Sequence, residues 1–596
     1  MPDRLVSWIQ EAFPIASWFP DYELQHVKGD FRAGLTVGIM LIPQGMAYAV
    51  IAGVPPIYGL YAGLVPLLIY PLLGTSRQLA VGPIAIDMLI IAAGVSVIAE
   101  MGTDRFIGLA ILLTAMVGVI QIMMGFMRLG FLVSLLAKPV VTGFASAAAL
   151  IIAFSQLGNI IGVDLGYSEY VFVLIWEALQ RFGEIDPLTL MIGLITVFIL
   201  VVIDYRPGRL PGALVVVVLG TLAGYLFSLD AEGVEIVGTV PEGLPPIAFP
   251  DFGFSDMRAL LPVAITLALV QFMNVTSLGR LYASRYRYNI DANHELVAVG
   301  ASNLVGSFFR SIPVSASFSR TAVNDKSGAK SPLSNVFAAV LVGLTLVFFT
   351  HLFFYLPIAV LAAIIIVAAI GLVDIKELRY LFRAKQRDGY IALFTFGTTL
   401  LVGIQEGILL GIGASTLAVM YRYGRPNVVE LGHLPGTRSF RDMERTAEAE
   451  EISSILMMRV DASFSFINAD YFKKRILERQ EEKDRKIRAV IIDGMSINDL
   501  DTTAVEALEE IARNLRKSDI ELHLTGLIGP VRDVVRRSGL YEELGEDHFH
   551  RSPHQAVEYI LKQWDKVDDE HRLEVYRADV RHQEPEAPEK KYPRYK

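Results

Sequence analysis

The 596-residue chain contains no cysteine. Disulfide frameworks, thiolate metal sites and cysteine nucleophiles are therefore excluded. Charge is scarce too, at 19% of residues against 53% hydrophobic, where a soluble globular chain carries about 25% charged residues. The net charge of −9 argues against nucleic-acid binding, though a pathway could still be locally positive. No HExxH helix, GxSxG elbow or glycine-rich phosphate loop is present. The histidines, His351 and His433 among them, do not cluster at metal-ligand spacing. An enzyme is not expected, nor is a cofactor. A continuous apolar run is also missing from "MPDRLVSWIQEAFPIASWFPDYELQ". Residues 1–30 read as an interfacial lead-in and not as a cleaved signal peptide.

What is there is membrane-like. Mean hydropathy is +0.46, and apolar runs of about 18 or more residues recur between residues 33 and 421. The expected fold class is a polytopic α-helical membrane protein with an α/β domain after it. Composition shifts sharply after Arg425, where charged stretches such as "RSFRDMERTAEAEE" begin. The expected parts are a transmembrane domain at 31–424, a linker at 425–451, a soluble domain at 452–565 and a charged tail at 566–596, read as disordered, with a short helix at its start as the alternative.

Hydropathy gives about fourteen segments, several short or broken. They begin near Arg32, Ile57, Pro83, Phe106, Phe131, Leu188, Pro211, Leu260, Glu295, Ser317, Ser334, Pro357, Tyr390 and Glu406. Tyr170–Phe182 reads as an interfacial helix. Loop charge sets the orientation. Arg77, Arg128, Arg206, Arg209, Arg280, Arg285, Arg287 and the stretch "DIKELRYLFRAKQR" all follow even-numbered segments. The loop after the seventh carries Asp230, Glu232, Glu235, Glu242, Asp251 and Asp256, with no Lys or Arg until Arg258. Both termini are then expected on the cytoplasmic side.

Two segments break the pattern in the same way. "GTSRQLAVGPIAIDMLIIAAG", Gly74 to Gly94, and "GSFFRSIPVSASFSRTAVN", Gly306 to Asn324, each lead from a short extended piece through small or proline residues into a short helix. They are the third and tenth segments, equivalent places if fourteen are two copies of seven. Non-helical backbone at membrane depth persists only where it is buried in protein or lines a wet cavity. A half-helix starting there aims its free N–H groups and positive dipole end at the cavity, so two such ends make an anion site. Ser317 and Ser319 add hydroxyls, and Arg320 adds a positive charge, which is costly inside a membrane and usually marks function. The plainer alternative is that Pro and Gly kink ordinary helices and the serines bond back to their own carbonyls.

The second of these stretches, together with "LIPQGMAYAVIAGVPPIYGLYAGLVPLLIYPLLGTSRQLAVGP" from Leu41 to Pro83, resembles the SulP anion transporters, the sulfate permease family. The C-terminal region resembles the STAS domain these transporters bear. The resemblance implies a seven-plus-seven inverted repeat divided into core and gate domains, an elevator-like movement of the core, a homodimer in a cell membrane, and an inorganic anion substrate. Sulfate leads; bicarbonate, chloride, oxalate or dicarboxylates are the alternatives, by Na⁺- or H⁺-coupled symport or by exchange. It also implies that the anion sits between the helix starting at Ile84 and Ala85 and the one starting at Ser317, Phe318 and Ser319. Gln44 and Tyr48, four apart and so on one helix face, would line the site.

Members of this family often place a carboxylate in the eighth segment, five residues before a small residue and a basic one. In "LVQFMNVTSLGRLYA" that place, relative to Gly279 and Arg280, holds Asn274. A neutral amide cannot titrate. Asp87, the only acid of the third segment, is the expected replacement as coupling group, or as an ion-pair partner of Arg320 in the empty site. Gln271 and Asn274, three apart, would then supply neutral polar lining.

In the soluble part, apolar strands alternate with helices, which predicts an α/β sandwich. "DLDTTAVEAL", Asp499 to Leu508, resembles the loop that bears a phosphorylatable hydroxyl in anti-sigma-factor antagonists. Asp501 is the expected helix cap, and Thr502 or Thr503 the candidate acceptor if the loop is more than a cap. A cytoplasmic partner could act there. A voltage-sensing or signalling protein, or an anion channel, are the competing readings for the whole chain.

Overall fold

The computed structural model describes residues 14–581 apart from 20–21, 132–136, 167, 169, 206–211, 251–252, 372, 484–485 and 569–571. Residues 1–13, Arg206, Arg209, Asp251 and 582–596, which carry some of the expectations above, lie outside the described residues. The chain divides into two units, Met1–Ser415 and Thr416–Lys596.

The first unit is helical, and a helix stands at each place where hydropathy puts a segment. Those that build or brace the site include α1 (Leu24–Ile51), α2 (Pro56–Ala62), α3 (Val65–Leu73), α4 (Ala85–Ser96), α5 (Asp104–Phe126), α6 (Lys138–Ser155), α7 (Phe254–Tyr286), α8 (Ala292–Ser307), α9 (Phe318–Lys326), α10 (Leu333–Phe348) and α11 (Ile358–Ile370). The helix expected near Phe131 begins at Lys138. Among the described residues, six helical stretches are long and apolar enough to cross a membrane, including Leu24–Ile51, Pro56–Leu73 and Phe254–Tyr286. Local chemistry sets several starts. Pro56 opens α2, where its missing N–H costs nothing. Thr103 caps α5 by accepting from Phe106 N–H, and Asp291 caps α8 by accepting from Asn293 and His294. Helices α5 and α8 approach closely because two glycines face each other. A Cβ on Gly118 would stand 2.7 Å from the Gly300 carbonyl oxygen, and one on Gly300 would stand 2.8 Å from that of Gly118.

Two short strands interrupt this helical unit. β1 (Val81–Gly82) precedes α4, and β2 (Ser315–Ala316) precedes α9. They pair antiparallel, Val81 opposite Ala316 and Gly82 opposite Ser315.

The second unit is an α/β fold. Its sheet has six strands in the order β4-β3-β5-β6-β7-β8. These are β3 (Val428–His433), β4 (Phe440–Asp442), β5 (Ile455–Val460), β6 (Ala489–Asp493), β7 (Glu521–Thr525) and β8 (Phe549–His550). β3 runs antiparallel to β4 and β5, and the remaining pairs are parallel. Alternation fills both faces. Leu456, Met458, Val490 and Ile492 pack with α12 (Ala469–Glu481) and α13 (Thr502–Lys517). Ile455, Met457, Ala489 and Ile491 pack with Ile560 and Trp564 of α14 (Pro553–Asp568) and Tyr576 of α15 (Arg572–Arg581).

Two readings are corrected here. The stretch 425–451 is not a bare linker, because it supplies β3 and β4. "VVELGH" mixes polar and apolar side chains, and its glutamate, Glu430, is held by Arg479 and Lys483. The tail from 566 holds α15, whose Tyr576 and Val580 are buried in the core.

Candidate functional site

The two interrupted segments meet. Besides the β1–β2 pairing, the Ser317 N–H donates to the Ala80 carbonyl at 3.1 Å. The antiparallel ladder turns α4 and α9 so that both N-termini face one cavity of about 720 Å³. At α4 the N-cap is Ile84, whose side chain caps nothing; the first-turn amides keep their free donors for the cavity. At α9 the N-cap is Ser317, whose hydroxyl accepts from Arg320 N–H at 3.4 Å and lies 3.3 Å from that of Ser319.

Seven of the residues expected to hold the anion line this cavity: Gln44, Tyr48, Ile84, Ala85, Ser317, Phe318 and Ser319. Asn274 lines it as well. Arg320, the eighth, does not reach the wall. It is fully buried and turns back over the ladder. Its Nη2 donates to the Pro83 carbonyl at 2.8 Å and its Nη1 to Gln44 Oε1 at 3.3 Å, while its Nε has no partner among the described residues. The guanidinium thus fixes the turn into α4 and commits the Gln44 oxygen, which leaves the Gln44 amide NH₂ as the polar group of that side chain for the cavity. Gly82 makes room for it. Its φ of +148° suits only glycine, and a Cβ there would stand 3.1 Å from Arg320 Nη2.

Asp87 is also fully buried, and the expected ion pair with Arg320 does not form among the described residues. Asp87 Oδ2 instead accepts from Gln271 Nε2 at 2.8 Å, and Oδ1 has no partner among the described residues. The reason is geometric. Asp87 lies in the first turn of α4, which packs against α7, whereas Arg320 leans toward α1. Gln271 is corrected too. It is fully buried behind the wall and does not line the cavity. Its Oε1 accepts from Gln121 Nε2 at 2.9 Å and from Asn303 Nδ2 at 3.0 Å. This amide cluster was missed from sequence, since Gln121 and Asn303 sit singly inside apolar runs.

Two further carboxylates escaped notice. Glu295 accepts from Tyr70 OH at 2.8 Å and from the Thr75 and Ser76 amides at 2.7 and 2.9 Å. Asp30 accepts from the Lys330 and Ser331 amides at 2.6 and 3.0 Å. Each ties down the loop beside a half-helix. Thr142 and Ser146 of α6 line the cavity, but their hydroxyls bond to carbonyls of their own helix.

In the second unit, Asp501 caps α13, its Oδ1 accepting from Ala504 N–H at 2.9 Å and its Oδ2 from Phe466 N–H at 2.7 Å. Thr502 and Thr503 are exposed in the first turn.

The pattern of the sulfate permease family matches residues 27–395. The chain belongs to the sulfate permease family. Residues 446–556 match the STAS domain. Sulfate transporter 4.1, chloroplastic, of Arabidopsis thaliana is 34% identical over 588 residues, covering 95% of this chain and 85% of that protein. A probable sulfate transporter of Mycobacterium tuberculosis is 34% identical over 540 residues, covering 91% and 96%. Among solved structures, the murine Solute Carrier 26 family member A9 anion transporter in its inward-facing state superposes with TM-score 0.85 at 24% identity, over 92% of this chain and 94% of that one. The transmembrane domain of the cyanobacterial bicarbonate transporter BicA gives 0.57 at 22% identity, over 66% of this chain and 98% of that one. This family member is a polytopic helical membrane protein with the fold of those structures.

Proposed function

We propose that this chain is a secondary active transporter of inorganic anions, a carrier and not an enzyme, with sulfate as its main substrate. The observation that carries the reading is the convergence of two half-helix N-termini on one cavity, with the Arg320 charge directly behind it. Relatives named as sulfate transporters across more than nine-tenths of this chain favour sulfate among the anions. The backbone amides of α4 and α9, the Ser317 and Ser319 hydroxyls, the Gln44 amide and Tyr48 hold the oxyanion. Arg320 supplies charge through the bonded layer and not by contact.

Asp87 is the coupling group, placed to carry a proton, or to attract Na⁺, alongside the anion. Its unpartnered Oδ1 supports this role, and Asn274 supplies a neutral polar wall. The transport part covers residues 31–424 and moves its core against the gate in an elevator-like cycle within a homodimer. Both termini face the cytoplasm, in the cell membrane. Thr502 or Thr503, exposed at a helix N-terminus, is a place where a phosphate or a cytoplasmic partner acts on transport.

Purified protein in liposomes tests the reading. Saturable radiolabelled sulfate uptake is expected, responding to an inward pH or Na⁺ gradient, with bicarbonate, chloride, oxalate and dicarboxylates as competitors. Currents far above carrier turnover would mark a channel, and absence of uptake for every anion would overturn the assignment.

A further inference from the structure

We propose that Asn335 and Asn303 are positioning residues for the anion site, each closing a free edge of the β1–β2 ladder and so setting the spacing of the two helix N-termini from outside the cavity. The proposal rests on the reading of that cavity as an anion site.

The ladder is two residue pairs long. A two-stranded ribbon of that length has little stability of its own, and unpaired peptide groups cut off from water cost free energy. Both outer edges are nevertheless closed, and each by an asparagine from a neighbouring helix. Along β1, the Val81 N–H donates to Asn335 Oδ1 at 3.1 Å, and the Leu79 carbonyl accepts from Asn335 Nδ2 at 2.8 Å. Along β2, the Val314 N–H donates to Asn303 Oδ1 at 2.8 Å, and the Val314 carbonyl accepts from Asn303 Nδ2 at 3.2 Å.

An asparagine side chain offers the donor and acceptor of a peptide unit. Asn335 bridges the groups that a parallel neighbour would pair, and Asn303 those that an antiparallel neighbour would pair. Each therefore stands in for a missing strand. The two contacts occupy matching places. Val81 is three residues ahead of the α4 N-cap Ile84, and Val314 three ahead of the α9 N-cap Ser317.

Neither asparagine lines the cavity, and both are buried. They act through the backbone. Asn335 sits in the first turn of α10, and Asn303 sits on α8. Asn303 also reaches Gln271, which donates to Asp87 Oδ2. Displacing one N-terminus relative to the other would spoil amide contacts made from two sides of one oxyanion, and misplacement of about 1 Å can cost a site about a hundredfold. The spacing should also select for size among tetrahedral oxyanions.

The test uses the purified full chain with Asn335→Ala and Asn303→Ala, measuring equilibrium binding of radiolabelled sulfate with molybdate as the larger competitor. Each variant should raise the sulfate Kd about tenfold or more, shift the molybdate-to-sulfate ratio, and leave the number of sites per folded protein unchanged. Hydrogen exchange should accelerate at residues 79–85 and 312–319. The isosteric Asn→Asp variants, which keep the acceptor but lose the donor when ionised, serve if alanine prevents folding. Unchanged Kd, ratio and exchange in folded variants would overturn the proposal. A wild-type protein that binds no sulfate would instead overturn sulfate as the ligand of the site, and the exchange measurement would still decide whether the asparagines hold the strands.

Discussion

At the scale of single residues, Arg320 sets a buried charge behind the proposed anion site without lining its cavity. Its two bonds join the Pro83 carbonyl to the Gln44 side chain. A unit charge about 6 Å from another is worth about 3 kcal/mol at an effective dielectric of about 20, enough to matter for a dianion one layer away. Arg320→Gln should reduce sulfate uptake by about a hundredfold, measured in liposomes at equal protein density. Arg320→Lys should recover little, because an ammonium cannot span the carbonyl and the amide as a planar fork does. Asp87 makes the opposite case, a carboxyl with one amide donor and no basic partner among the described residues. Asp87→Asn should keep sulfate binding and lose the response of uptake to the coupling gradient. Unchanged pH and Na⁺ dependence in that variant would remove Asp87 from the mechanism. The presence of both residues was legible in the sequence, since charged letters stand out in apolar text. Their directions were not. Which way a side chain turns depends on the helix across from it, and the expected Arg320–Asp87 pair failed for that reason.

At the scale of elements, the half-helices could be foreseen because Pro83 and the serines around 317 interrupt apolar runs. The extended pieces ahead of them were legible too, but their pairing was not, as two residues of strand carry no periodicity. Gly82 links sequence and geometry here. Gly82→Ala would force a Cβ residue to φ +148° and push on Arg320, a strain of about 1–3 kcal/mol. The expected outcome is a lower melting temperature and a raised KM for sulfate, checked by thermal unfolding in detergent and by uptake. The strands in 425–451 escaped sequence reading because Glu430 breaks the apolar pattern of β3, and its partners Arg479 and Lys483 lie about fifty residues further on.

At the scale of the whole molecule, each unit has its own conditions of stability. In the sheet unit, His523 Nδ1 lies 3.1 Å from His550 Nε2, and His523 Nε2 lies 3.3 Å from Glu521. Burial first, then the neighbouring His523 and His548, bring His550 down to about 4, and burial lowers His523 as well. An unfolded histidine takes up a proton near pH 6.5. Between about pH 6.5 and 4 the unfolded chain therefore binds protons that the folded sheet refuses, and stability falls as the solution is acidified. Hydrogen exchange at β7 and β8, corrected for intrinsic rates, should accelerate across that window, and His550→Asn should flatten the dependence. In the helical unit, the ladder between β1 and β2 has a mechanical consequence. Under the proposed function, the two jaws that grip the cargo are stitched together, so the grip cannot open by parting them. Under that proposal, unloading is expected from what lies opposite, with the clasped pair travelling past the facing wall to meet water on its far side.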